Sequence, residues 1–106
     1  MLSLMNDTKW DELRLAMYEL GPLSPKWRTL DVENGHLSEW DGEWFYHFRN
    51  GGYEFIKWVE IAIESPAQRQ AVLTELVKVH VPGESTETGF RVLGYAELGV
   101  EVDYLD

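Results

Sequence analysis

The stretch Asn34–Gly51, NGHLSEWDGEWFYHFRNG, decides how the chain is read. Three dipeptides punctuate it: Asn34-Gly35, Asp41-Gly42 and Asn50-Gly51. Asn-Gly and Asp-Gly supply the positive φ that two-residue hairpins need. Around them, Trp27–Glu33, His36–Trp40, Glu43–Arg49 and Tyr53–Glu64 are rich in aromatic and β-branched residues, the composition of strands. The spacing predicts an antiparallel meander of about four strands. Within it, alternation puts Glu43, Phe45 and His47 on one face and Trp44, Tyr46 and Phe48 on the other. In the last segment Tyr53, Phe55, Val59, Ile61 and Ile63 share a face that only Lys57 interrupts.

A helix is expected on either side of the meander. Before it, Asn6, Asp7 and Thr8 are start residues, and Trp10, Leu13, Ala16, Met17 and Leu20 fall on one arc at helical spacing. Gly21-Pro22 stops that helix, predicted over Thr8–Leu20, and leaves Leu15 and Tyr18 off the arc. After the meander, Ser65-Pro66-Ala67-Gln68 reads as a cap, a first-turn proline and a capping-box partner. Val72, Leu73, Leu76, Val77 and Val79 would form the apolar face of this second helix, which ends before Pro82-Gly83. Gly83–Gly89 is a polar loop, and Phe90–Ala96 and Val100–Leu105 read as a last pair of strands joined at Glu97-Leu98-Gly99. The expected fold is therefore α+β, with two helices packed on one face of an antiparallel sheet. The other face is left for solvent or a partner.

Composition bounds the rest. A chain of 106 residues is expected to form a single domain, 1–106, and 44% apolar residues give it material for a core. There is no cysteine, which removes disulfides, thiolate metal sites and cysteine nucleophiles, and a reducing cytoplasm is the expected setting. Met1–Met5 is apolar but short and without a basic leader, so it does not read as a signal peptide. The net charge is -10, and the nine Lys and Arg are scattered. Polyanions are bound through clustered Lys and Arg, so neither nucleic acid nor an anionic membrane is an expected partner.

Candidate chemistry centres on the same stretch. Trp40 and Trp44 flank a turn that also carries Glu39, Asp41 and Glu43. Exposed aromatics on an acidic surface suit protein binding, and these five are the expected contact residues. His47, with an acid on its strand face, is the candidate for a polar or proton-transferring site. His36 reads as a turn neighbour and His80 as a cation at a helix C-terminus. The three histidines lack metal-site spacing, and no nucleophile elbow, phosphate loop or dinucleotide fingerprint is present. No catalytic residue, metal or cofactor is assigned.

Four pieces of the chain resemble an uncharacterised family of small bacterial proteins. They are Asn6–Trp10, Trp40–Phe48, Val81–Glu84 and Gly94–Tyr104. The five residues before Asn6 stand outside them, and Met5 is an alternative start. The resemblance implies a bacterial cytoplasmic protein and supplies no activity, cofactor or site residue. In size and acidity the chain is also similar to immunity proteins that neutralise bacterial toxins. The expected function is a non-enzymatic binding module for a basic protein, of the immunity type. The alternatives are a small enzyme or ligand-binding domain centred on His47, and a self-associating homo-oligomer paired through an open sheet face or edge.

Overall fold

The computed structural model describes all 106 residues. Helix α1, Asp7–Tyr18, starts where Asn6 Oδ1 accepts the Lys9 amide at 2.8 Å, satisfying one of the amides a helix start leaves free. Its buried face is Trp10, Leu13 and Met17, while Leu15 and Tyr18 stay exposed, as the arc predicts. Helix α2, Pro66–Val79, is capped by Ser65 Oγ, which accepts the Gln68 amide at 3.1 Å. The buried Gln68 side chain accepts from the Glu64 amide and donates to the Leu23 carbonyl, which ties α2 to the turn after α1. Val72, Leu76 and Val79 are buried, Leu73 is half-buried, and Val77 faces water. His80 ends the helix in the left-handed region at φ 65, its ring stacked 4.4 Å from Tyr104.

Strands β2 (Lys26–Asp31), β3 (Ile56–Ala62), β4 (Gly83–Ser85) and β5 (Gly89–Leu93) form one sheet in the order β2-β3-β5-β4, each pair antiparallel. Both helices lie on its inner face. Their buried side chains form one cluster with Trp27, Val59, Ile61, Phe90 and Val92. Burying a side chain such as Leu13 or Met17 there stabilises the fold by roughly 1.5–3 kcal/mol. The α+β arrangement is the expected one, but the strands are distributed differently. The register shifts so that Leu30 faces Trp58 and Asp31 faces Ile56, leaving Lys57 as an extra residue. A one-residue bulge exchanges faces, so Ile56 is buried and Phe55 is exposed, against the simple alternation.

His36–Trp40 and Glu43–Arg49 are not strands. The first runs beside the β2 edge without becoming a strand, meeting it at the isolated bridge Leu30–Leu37, with a second bridge, Trp27–Asp41, just beyond it. Between those bridges Ser38 Oγ takes the Thr29 amide that a strand carbonyl would otherwise accept. The second curls: Trp44 and Phe48, four residues apart, both point inward while Tyr46 points out. Spacing of four is a turn period and not a strand period.

The C-terminal segment also departs from the strand pattern. Val100–Leu105 makes one bridge, Pro82–Tyr104, with Gly83 N donating to Asp103 O and Leu105 N to Val81 O. Only Leu105 of its apolar residues is buried, and Val100 lies in solvent. This segment meets the start of β4 at Gly83, and residues 37–41 lie along the β2 edge. At the other end of the chain, β1 (Leu2–Ser3) pairs with β6 (Tyr95–Ala96) and Met5 enters the core, so the residues before Asn6 belong to the fold. Gly94 lets these parts meet: a Cβ there would lie 2.1 Å from the Ile56 carbonyl oxygen and 3.0 Å from the Trp10 ring.

Candidate functional site: the Trp40–Asn50 loop

The loop is built on two carboxylates. Asp41 pairs its backbone with Trp27 in both directions at 2.8 Å, fixing the loop to the β2 edge. Its Oδ1 accepts the Glu43 amide at 2.8 Å, an Asx turn that lets the chain reverse at Gly42. Its Oδ2 holds His47 Nδ1 at 2.8 Å. The Glu43 side chain then folds back over the next three residues. Its oxygens accept the amides of Phe45 (2.8 Å), Tyr46 (2.8 Å) and His47 (2.7 Å). Burial pushes the Glu43 carboxyl up, but these amides and the charge of His47 outweigh it and hold the group below the usual glutamate range.

Inside this turn lies an aromatic core. Trp44 is almost fully buried, 1% exposed, with Nε1 donating to the Pro25 carbonyl at 2.8 Å. Trp27 donates its Nε1 to the Glu43 carbonyl, and Phe48 meets Trp44, Trp27 and Tyr53 at ring distances of 4.7–5.8 Å. From α1, buried Arg14 donates to the Phe45 carbonyl at 2.6 Å. Tyr53 donates to Asp11, and that bond together with burial pushes its phenol above the usual tyrosine range. Core, helix and carboxylates thus grip the loop from three sides.

Outside the turn, Phe45 and Tyr46 form a tip. Tyr46 is 65% exposed, and Phe45 lies 4.9 Å from its ring and 5.1 Å from that of Tyr18, itself half in water. The Arg14 guanidinium lies over the Phe45 ring at 4.9 Å, and that of Arg49 lies 5.6 Å from Phe45 and 5.7 Å from Tyr46. Such packing is dense for a loop tip, which is usually sparsely contacted.

The five expected contact residues are therefore split. Trp44 is core and is unavailable to a partner. Asp41 and Glu43 spend their oxygens on the loop itself. Glu39 and Trp40 are accessible, but Trp40 lies on the other side of the sheet, where the Arg28 guanidinium covers its ring at 4.5 Å. The sequence reading did not single out Tyr46 and Tyr18, which are exposed here, or the half-buried Phe45 between them. The signal for them was the Asp-x-Glu spacing, which favours side-chain capping over a strand.

His47 is exposed, and with Nδ1 on Asp41 its Nε2 is turned to water. It stands on the rim of a groove of about 300 Å³ that also includes Asp31, His36, Thr29 and Asn50, with Phe48 and Ile56 at its base. A larger hollow of about 490 Å³ beside the start of α1, lined by Trp10, Tyr53, Asp7 and Glu54, contains none of the candidate residues. No three His, Asp or Glu side chains converge as metal ligands. No helix is long and apolar enough to cross a membrane.

Residues 1–99 match a family described as a family of unknown function (DUF6678), a match that includes the N-terminal residues paired to β6. No curated protein and no solved structure matches the chain.

Proposed function

The chain belongs to this family of unknown function, and with no activity to carry over from it we propose that the protein is a non-enzymatic binding module for a basic protein, engaged through the Phe45–Tyr46 tip. The observation that carries this reading is the cost of holding the tip in place. Three amides bound to one carboxylate, an arginine drawn from α1 and a buried tryptophan all serve to hold the half-buried Phe45 ring and, beside it, the exposed ring of Tyr46. A rigid aromatic loses little conformational freedom on binding, and Tyr beside Arg is the composition of interface hot spots. A net charge of -10 would accelerate encounter with a basic partner and disfavour acidic ones. A bacterial cytoplasmic inhibitor of a basic toxin, of the immunity type, is the biological form that fits this chemistry.

The test is site-specific. A photo-crosslinking side chain at Tyr46 in the native host should trap a Lys- and Arg-rich protein, and the same group at exposed Gln70 should not. Equal trapping at both positions, or none at Tyr46, removes the reading.

One contact favours a second reading, a ligand-binding or proton-transferring role for His47. Asp41 holds Nδ1 and so orients the imidazole at the rim of the 300 Å³ groove. Ligand-observed NMR with a panel of small polar molecules is the check. Binding that His47→Asn abolishes supports this role, and binding indifferent to that change excludes it.

A further inference from the structure

The outer face of the sheet carries a charge pattern that its register fixes. Arg28 lies opposite Glu60, Glu60 opposite Arg91, and Arg91 opposite Glu84, so one row crosses all four strands with signs plus, minus, plus, minus. Glu60 bridges both arginines, at 3.1 Å to Arg28 and 3.6 Å to Arg91, and Arg91 reaches Glu84 at 3.5 Å. Trp40 lies on Arg28 and Trp58 on Arg91, each 4.5 Å from the guanidinium carbon. The next row, Leu30–Trp58–Leu93, is half-buried and uncharged.

The row sums to zero, two arginines against two glutamates, while the chain carries -10. The whole net charge therefore sits elsewhere, and contact between two copies through any acidic region brings like charges together. Residues 37–41 lie along the β2 edge and the C-terminal segment meets the start of β4, so little free edge is left for strand addition. We infer that this neutral face is where a second copy of the chain docks, around a two-fold axis parallel to the strands and passing between β3 and β5. That rotation reverses the order of the strands and preserves position along them. Every charge then meets its opposite: Arg28 faces Glu84 of the second copy, and Glu60 faces Arg91 of the second copy. Trp58 meets Leu93 of the second copy in the adjoining row. A two-fold axis along the row would instead set like charges opposite each other, so the pattern selects one arrangement of the two sheets. Four strands about 4.8 Å apart make a face roughly 20 Å across. The contact is at the small end of specific interfaces, so self-association is tested at high protein concentration.

Salt distinguishes this contact from binding to a basic partner. Screening weakens the long-range repulsion between two domains of like charge more than it weakens short desolvated pairs. Dimerisation is therefore strongest at moderate ionic strength and falls at low salt, whereas binding to a basic protein does the opposite. The experiment is sedimentation velocity at high micromolar concentration with Glu84→Arg, Arg28→Glu and their equimolar mixture, each checked for native thermal unfolding. Glu84 is exposed, so its reversal leaves the fold intact. The wild type should dimerise, each single variant should weaken self-association by about tenfold or more, and the mixture should form a heterodimer in which all four pairs are again opposite. A wild type that stays monomeric across the salt range, or a Glu84→Arg variant that dimerises as the wild type does, overturns the inference. So does a mixture no more associated than its parts.

Discussion

Removing the Glu43 carboxylate should loosen the tip more than any other exposed change in the loop. Three backbone amides, those of Phe45, Tyr46 and His47, end on its two oxygens. A hydrogen bond to a charged group contributes roughly 1.5–3 kcal/mol. The amides lie near the surface and regain water in a Glu43→Ala variant, so the expected loss is about 2–4 kcal/mol rather than the full sum. At about 4 °C per kcal/mol for a domain of this size, that lowers the Tm by about 10 °C. Glu43→Gln keeps one strong acceptor and should lose about half as much. The effect should depend on pH in one direction. The folded carboxyl titrates below its unfolded value, so on acidification the unfolded chain takes up the proton first. The stabilisation is complete above the unfolded value of about 4.3 and is lost as pH falls through the lower folded value. Denaturant unfolding at neutral pH should separate wild type and Glu43→Gln clearly, and the gap should narrow as the pH is taken below the ordinary glutamate range. Amide exchange at Phe45, Tyr46 and His47 should accelerate in both variants. A gap below about 0.5 kcal/mol, the scatter of neutral surface changes, or one that does not vary with pH, would refute the description of this loop.

Two further changes test the frame behind it. Trp44→Phe leaves the Pro25 carbonyl without its donor in a buried place and should cost about 2–3 kcal/mol, whereas Trp40→Phe, on an exposed ring, should cost less than about 1 kcal/mol; urea midpoints give both. Gly94→Ala forces a Cβ to within 2.1 Å of the Ile56 carbonyl and should lower the Tm by more than the Trp44 change does, while Ala67→Gly, at an exposed first-turn position of α2, shifts it little; calorimetry decides.

Both helices were legible in the sequence because their caps and their apolar arcs agree. Asn6 and Ser65 each bind the amide that their position predicts. Strands β2, β3 and β5 were legible from composition, within the error that one bulge at Lys57 introduces. The loop was not. Alternation over Glu43–Phe48 satisfies a strand pattern, yet capping by two short-range carboxylates overrides it, and the chain turns with Trp44 and Phe48 both inward. Propensity gave no sign of this, because Trp, Phe and Tyr favour strands wherever packing allows. The motif singled out from the sequence is the loop that carries the tip. The structural roles within it were not legible: Trp44 serves the core, Asp41 and Glu43 serve the backbone, Phe45 is half-buried, and Tyr46 is the ring left in solvent. The outer charged row depends on register between strands far apart in sequence, which composition does not encode.

The central claim is that the tip is built for a partner and contributes little to the fold. Isothermal titration of the trapped partner against wild type and Tyr46→Ala, at low and moderate salt, tests it most directly. The expected outcome is binding that weakens with salt and drops by about 30-fold or more in the variant, with an unchanged Tm. Equal affinity for both proteins, or a Tyr46→Ala variant that loses stability and affinity together, would contradict it.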